Sequence, residues 1–225
     1  MTNNQGQGGV RIAEDQDSDR IAAVLGSAFT DDPVLNWFGA GPQIQEMFFG
    51  AEIETLYRPH GIMHITQDGY AAALWLPPGA PHQGGLSWRL LRAGWKLFRK
   101  SGLEGLKRGQ TLAEQLAKHR PQRPHFYLHA IGAHLNHQGQ GLGSALLRTG
   151  LKVCDQHGMP AYLESTNPLN PPLYRRFGFE VTQQLELRGL APRRRKVRRS
   201  TKDVIHCPWW RAFGRTGSHL PASKR

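Results

Sequence analysis

A glycine-rich turn between an apolar run and an amphipathic run is the feature that most limits how this chain can fold. The turn is Gln138-Gly139-Gln140-Gly141-Leu142-Gly143-Ser144, which follows Phe126–Ile131 and precedes Ala145–Leu147. A chain that leaves a strand through glycines and enters a helix presents unpaired N–H groups at the positive end of the helix dipole. The pattern predicts a cradle for a pyrophosphate, and the alternative is a glycine-rich turn without a ligand.

The spacing of the glycines excludes the two commonest phosphate-binding loops. A dinucleotide fingerprint needs G-x-G-x-x-G, and a P-loop needs Gly-Lys followed by Ser or Thr, whereas this turn reads G-x-G-x-G. The turn is therefore either another kind of phosphate site or a turn without a ligand.

The residues after the turn predict a repeating α/β unit. Apolar spacing favours a helix over Leu142–His157, with Gly158 placed to end it. Ala161–Ser165 then has the composition of a strand. A short helix from Leu173 and a last strand over Phe179–Leu187 follow. The predicted order is strand, phosphate turn, helix, strand, helix, strand.

The residues before the turn predict helices and one hairpin. Asp17 or Ser18 is placed to cap a first helix, and Asp32-Pro33 to start a second. The remaining predicted elements are a helix over Gln43–Tyr57, antiparallel strands over Gly61–Thr66 and Tyr70–Leu76, and a helical region over Leu86–Lys118 broken near Ser101-Gly102. The basic residues of that last region are interpreted as a solvated face rather than as a phosphate- or acid-binding surface.

Several separate motifs resemble one known superfamily. Gln138-x-x-Gly141-x-Gly143, together with Asn170 and the run Tyr174–Phe179, resembles the acyl-CoA-binding core of the GNAT N-acetyltransferases. The resemblance covers roughly Ile12 to Leu187 and is greatest to the puromycin N-acetyltransferase subgroup. The segments that carry the subgroup resemblance are His119–Pro121, Phe126–Leu128, His137–Ala145, Leu163–Ser165, Asn170–Tyr174, Ala28–Pro33 and Ala73–Pro78.

The resemblance implies a fold and an activity. The fold is the α/β GNAT acyl-CoA N-acyltransferase fold, with a mixed central sheet flanked by helices, over residues 12–187. The activity is transfer of an acetyl group from acetyl-CoA, the cosubstrate, to a primary amine of a small molecule, directly in a ternary complex and without a metal. The alternatives are a protein or peptide amine as acceptor, or a noncatalytic acyl-CoA-binding regulatory protein. Fold likeness does not decide the acceptor.

The resemblance also assigns roles to individual residues. Tyr174 is the candidate general acid, and Asp31 and Asp32 lie where the family places an acceptor-lining loop. Glu164 is the candidate general base because it interrupts an apolar strand, where a carboxylate is costly unless it faces a wet cleft or a partner. The residues expected to hold the cosubstrate are Ile131, Gly132, Ala133, Gln138, Gly139, Gln140, Gly141, Leu142, Gly143, Ser144 and Asn170.

Structural alternatives stand beside these roles. Tyr174 can be ordinary aromatic packing, Glu164 can point to solvent or bind a neighbouring amide, and Asn170 can cap the helix that carries Tyr174. Asp31 and Asp32 can be a turn and a helix cap.

Net charge separates the carboxyl-terminal residues from the rest. Residues 188–225 contain twelve Lys and Arg and one Asp, and therefore hold +11 of the net +12 of the 225-residue chain. This range is interpreted as a basic solvated tail rather than as a segment that binds nucleic acid or an acidic surface. Within it, only Val204–Cys207 resembles the last strand that the family fold requires, so the tail contains either a divergent last strand or none.

The remaining features set the expected environment. The amino terminus does not resemble a secretory signal, and no apolar run has the length of a membrane span. Cys154 and Cys207 form no disulfide or metal pattern, so a cytoplasmic protein with reduced thiols is expected. The histidines at 125, 129, 134 and 137 lack a third ligand at a suitable spacing, so no metal site is predicted. The sequence does not indicate an oligomeric state.

Overall fold

One mixed sheet is the centre of the fold. The computed structural model describes residues 9–167, 169–186 and 201–207. Within these ranges the strands form a seven-stranded sheet in the order β1-β2-β3-β4-β5-β7-β6. The strands are β1 (Val10–Ile12), β2 (Ile62–Thr66), β3 (Ala71–Leu76), β4 (Phe126–Ala133), β5 (Ala161–Ser165), β6 (Glu180–Glu186) and β7 (Thr201–Cys207). The helices are α1 (Ser18–Ala28), α2 (Pro33–Trp37), α3 (Pro42–Glu52), α4 (Arg58–His60), α5 (Trp88–His119), α6 (Leu142–Gln156) and α7 (Pro171–Arg176).

The strand pairing is antiparallel except at one place. The β2–β3 hairpin turns at the predicted Asp68-Gly69, where Gly69 has φ +71°. Strands β4 and β5 pair in parallel, as expected for two strands joined by the crossover helix α6. The mixed sheet flanked by helices predicted from the sequence is confirmed.

Two apolar cores lie on opposite faces of this sheet. One contains residues of α1, α3 and the π-helical turn Ile53–Tyr57, packed on β2, β3 and β4. The other contains α6, with Leu146 and Leu147 fully buried, together with Tyr174 and Phe179. Because side chains alternate along a strand, β4 and β5 contribute to both cores.

The last strand lies beyond residue 187. Strand β7 includes the weak candidate Val204–Cys207 and extends it toward the amino end, to Thr201. It pairs with β5 on one side and with β6 on the other. The sheet therefore includes a strand from the range that the sequence analysis treated as a basic tail. Residues 188–200 and 208–225, like Leu187, lie outside the described residues.

The helix boundaries agree closely with the sequence patterns. Helix α5 is interrupted at Gly102, whose φ of +63° and ψ of −161° are not helical, near the predicted break. Asp17 precedes α1, but its carboxylate does not cap that helix and instead accepts from Arg11, at 2.6 and 2.7 Å. No helix in the described part of the chain has the length and apolarity to cross a membrane.

Candidate functional site

The two parallel strands separate at the centre of the sheet. Strands β4 and β5 pair only from Phe126↔Ala161 to Leu128↔Leu163. Strand β4 nevertheless continues to Ala133, and its other edge pairs with β3 as far as Ala133 itself. Among the described residues, the peptide groups of Ile131, Gly132 and Ala133 that face β5 therefore have no strand partner. An extended polar molecule can hydrogen-bond to such an edge.

The glycine turn lies at the carboxyl end of β4. Gly139 has φ +78° and Gly141 has φ +81°, and Gly141 occupies the N-cap position of α6. The first N–H groups of α6 consequently point away from the helix, toward the solvent side of the turn. Gln138 holds the turn to the strand, because its Nε2 donates to the carbonyl of Ala133 at 3.3 Å.

The other predicted turn residues divide by exposure. Gln140 is exposed and Ser144 is partly buried, whereas the Leu142 side chain is in the core with 5% exposure. Leu142 can therefore offer a ligand only its main chain. A Cβ at Gly143 would have no heavy atom within 4 Å, so this glycine borders open space.

Tyr174 lies on the α6 side of the sheet. Its ring packs in that core, edge-on to Phe179 at 5.9 Å between centroids. Burial raises the pKa of the Tyr174 phenol above its ordinary range. The hydroxyl is therefore protonated at neutral pH, which is the state that a proton donor needs.

Glu164 lies on the opposite face and is hydrogen-bonded to two phenols. Tyr162 Oη donates to Glu164 Oε1 at 2.9 Å, and Tyr127 Oη donates to Oε2 at 3.3 Å. Burial, and then the negative charge of Glu164, raise the pKa of Tyr127 and of Tyr162. Both phenols therefore stay protonated and orient the carboxylate. Glu164 is also the first residue of β5 beyond the last β4–β5 pair.

A histidine extends this polar cluster. His129 is the corresponding first residue of β4 beyond that pair, and its Nδ1 lies 3.4 Å from Tyr127 Oη. Its Nε2 lies 3.0 Å from Oε2 of Glu52, the last residue of α3. His129 and Glu52 are partly exposed, with 27% and 35% of their side-chain surface accessible, and they connect the cluster to solvent. We call Glu52, Tyr127, His129, Tyr162 and Glu164 the carboxylate–phenol cluster.

Most of this cluster is not predicted from the sequence. Glu164 stands out as a polar break in an apolar strand, but no sequence pattern assigns a role to Tyr127, Tyr162 or Glu52. The alternation of Tyr127 with His129 and of Tyr162 with Glu164 was the available signal, because residues two apart share a strand face.

Of three further predicted residues, Asp32 has structural partners for its side chain. Asp32 caps α2, accepting from Val34 N at 2.9 Å and Leu35 N at 2.8 Å, and its other oxygen accepts from Thr166 Oγ1. Asn170 occupies the N-cap position of α7 without a side-chain cap bond. Asp31 is exposed. The structure thus favours the cap alternative for Asp32 and leaves the ligand roles of Asn170 and Asp31 as predictions.

The predicted histidines have other partners. His125 Nδ1 lies 2.7 Å from the carbonyl of Arg123, and the His137 ring stacks on Tyr70 at 3.6 Å between centroids. The described ranges contain no group of three or more His, Cys, Asp or Glu arranged to hold a metal ion.

Comparisons with known proteins identify the family. The acetyltransferase (GNAT) family model matches residues 81–179. An uncharacterized N-acetyltransferase of Schizosaccharomyces pombe is 32% identical over 189 residues, which are 77% of this chain and 75% of the relative.

Solved structures of low identity share the fold. A Corynebacterium glutamicum structure described as histone acetyltransferase HPA2 and related acetyltransferase has a TM-score of 0.61 at 24% identity, covering 88% of this chain and 93% of the other. Arylalkylamine N-acetyltransferase 2 of Aedes aegypti has a TM-score of 0.59 at 17% identity, covering 88% and 97%. These likenesses show the fold, and neither the family model nor the relatives support the puromycin subgroup. Sequence, fold and relatives agree that the chain belongs to the GNAT family and is an acetyl-CoA-dependent N-acetyltransferase.

Proposed function

We propose that this enzyme acetylates the primary amine of a small molecule by direct transfer in a ternary complex. The carboxylate–phenol cluster carries the proposal. It places two carboxylates and several aromatic rings at the point where β4 and β5 separate, on the face opposite Tyr174. An ammonium group is attracted by carboxylates and by aromatic faces. The partly exposed carboxylate of Glu52 beside His129 suits the ammonium group of a small amine.

The central cleft fits acetyl-CoA. The unpaired edge of Ile131–Ala133 matches the amide-bearing arm of the cosubstrate, and the start of α6 with Gly139, Gly141 and Gly143 matches its pyrophosphate. Acetyl-CoA supplies the acetyl group as a thioester. An N–H of the β4 edge is the natural donor to the oxygen on which negative charge develops.

The two candidate catalytic residues then have complementary tasks. Glu164 accepts a proton from the acceptor ammonium at Oε1 or Oε2, directly or through water, so that the neutral amine can attack. Tyr174 donates its Oη proton to the sulfur that leaves. Tyr127 and Tyr162 keep the carboxylate oriented by hydrogen bonds. The residues on the two faces thus handle the two protons separately.

Thiol release from acetyl-CoA tests the proposal. The full chain is assayed with puromycin, arylalkylamines and a lysine-containing peptide, and with variants Glu164→Gln and Tyr174→Phe. Glu180→Gln is the matched control, since Glu180 is an exposed strand carboxylate in β6. We expect small amines to be turned over faster than the peptide, and each test variant to lose about 10²-fold in kcat.

Each part of the proposal has its own contrary result. Preference for the peptide would contradict the small-molecule acceptor. Parallel initial-velocity plots, the sign of a ping-pong mechanism, would contradict direct transfer. An unchanged pH profile in Glu164→Gln would remove Glu164 as the base.

A further inference from the structure

The first part of α5 carries a row of large apolar side chains exposed to solvent. Trp88, Leu91, Trp95 and Phe98 are 72%, 48%, 61% and 39% exposed. We call these four residues the apolar stripe. Of the ten large apolar side chains that are exposed among the described residues, seven lie between Leu86 and Leu106. Isolated exposed apolar residues are normal, but such a concentration indicates an interaction surface.

The stripe is a separate face from the one that holds α5 to the protein. Ala93 and Leu97 are the buried residues of this part of the helix, and Leu97 packs in a core with Phe38 and Ile44 of the α2–α3 region. The stripe residues are spaced by three or four, which places them in one row along the helix. Trp95 and Phe98 stack at 5.8 Å between ring centroids. The stripe is therefore an ordered outer surface of a docked helix.

Positive charge borders the stripe. Arg92 follows Trp88 and Arg99 follows Trp95 by four residues each. Lys96 and Lys100 are the residues directly after Trp95 and Arg99. We call these four residues the cationic flank. Within the described residues none of them has an ion pair, and Trp88–Leu103 contains no Asp or Glu. The nearby Arg89 is different, because it pairs with Asp19 on the body of the protein at 2.7 Å.

We propose that this face of α5 binds an anionic lipid surface. A helix with Trp, Leu and Phe in one row and Arg and Lys beside it lies in the plane of a membrane, with its apolar side chains among the acyl chains. Tryptophan favours the interface between lipid and water. Arg and Lys lay their apolar stems along the stripe while their charged ends reach lipid phosphates. The sequence alone favours a solvated face for these cations, because it does not show the exposure of the apolar stripe.

The charge argues against a second copy of the chain as the occupant. An interface between two identical α5 faces would place one cationic flank near the other, without carboxylates from this part of the helix to neutralise them. Trp88 and Trp95 are also largely exposed, which leaves their rings free to insert among lipids. A flat anionic surface satisfies both features.

Sedimentation with lipid vesicles tests the proposal on the full chain. The vesicles are phosphatidylcholine alone, or equal parts of phosphatidylcholine and phosphatidylglycerol. The test variants are the doubles Trp88→Ser/Trp95→Ser and Arg92→Gln/Arg99→Gln. The double Ile12→Ser/Leu169→Ser is the matched control, since those side chains are 69% and 80% exposed elsewhere on the protein. Circular dichroism establishes that each variant is folded.

The expected result is binding to the anionic vesicles that falls as salt is raised, and little binding to phosphatidylcholine. Both test variants should lose about tenfold or more in partitioning, and the control should not. The serine variant keeps every charge of the protein, so its loss distinguishes α5 from the basic carboxyl-terminal residues.

Three results would overturn the proposal. The first is vesicle binding that the Trp88→Ser/Trp95→Ser double does not weaken, and the second is no binding of the full chain to either kind of vesicle. The third is a dimer, measured by light scattering, that the serine variant converts to a monomer while neither protein binds anionic vesicles.

Discussion

The glycines of the turn before α6 differ in backbone conformation and in the space around them. Gly139 and Gly141 adopt positive φ angles that other residues resist. Gly143 has no such angle and borders open space. Nothing inside the described chain requires a glycine there, so an alanine at this position tests whether a group approaches the helix from outside.

We predict that Gly143→Ala separates binding from folding. Alanine is favoured over glycine in a helix by about 1 kcal/mol, so the free energy of unfolding should stay the same or rise. The added methyl group should hinder the pyrophosphate and raise the KM for acetyl-CoA by about tenfold, or about 1.4 kcal/mol. Steady-state kinetics and denaturant unfolding measure the two effects. An unchanged KM would mean that the turn holds no phosphate.

Site residues that belong to local sequence patterns could be predicted, whereas those that depend on contacts between distant parts of the chain could not. The glycine turn and Tyr174 belong to local patterns, so the sequence indicated them. The contact of His129 with Glu52 spans 77 residues, and that of Tyr127 with Glu164 spans 37. Local spacing carries no information on such pairs. Asp32 shows the reverse case, because the Asp-Pro pattern indicates a cap more directly than a substrate contact.

At the scale of elements, α6 approaches the sheet through one glycine. A Cβ at Gly150 would lie 2.4 Å from the Trp75 ring, which is buried in β3 with 1% exposure. The absence of a side chain at Gly150 therefore sets how closely α6 covers the strands beside the cleft.

We predict that Gly150→Ala destabilises the protein although alanine is the better helix former. The clash with Trp75 should outweigh the helix preference and lower the free energy of unfolding by about 1–3 kcal/mol. The control is Gly94→Ala in α5, where a Cβ would have no heavy atom within 4 Å. Urea unfolding measures the free energy of unfolding of both variants. If Gly150→Ala is as stable as the unaltered protein, α6 can move away from Trp75.

Strand β7 shows why some elements resist prediction. Its sequence follows a strongly basic block and gave only a weak strand signal. The backbone pairs with β5 and with β6, so the strand gains hydrogen bonds on both sides. Tertiary pairing outweighs local preference in such a position.

At the scale of the whole molecule, two buried histidines make stability depend on pH. Burial lowers the pKa of His64 in β2, and of His125 just before β4. Among the described residues, His64 Nδ1 has no hydrogen-bond partner. Both imidazoles are therefore favoured in the neutral form in the folded chain.

We predict that the protein loses stability as the pH falls below 6.5, the ordinary pKa of histidine. Below that pH the unfolded chain binds protons that the folded chain excludes, so the loss continues until the lowered folded pKa is reached. Replacing the imidazole in His64→Leu should reduce this dependence by on the order of 1 kcal/mol. Unfolding of this variant and of His60→Gln, an exposed control, between pH 5 and 7.5 measures it. A slope equal to that of the unaltered chain would contradict the assignment.

The short pairing between β4 and β5 divides the sheet into two parts. Three residue pairs join the part formed by β1–β4 to the part formed by β5, β7 and β6. A cosubstrate that hydrogen-bonds to the unpaired edge of β4 would add contacts where these two parts meet. Binding of the cosubstrate would therefore stabilise the folded protein. The free energy of unfolding would then rise with the concentration of the acetyl donor.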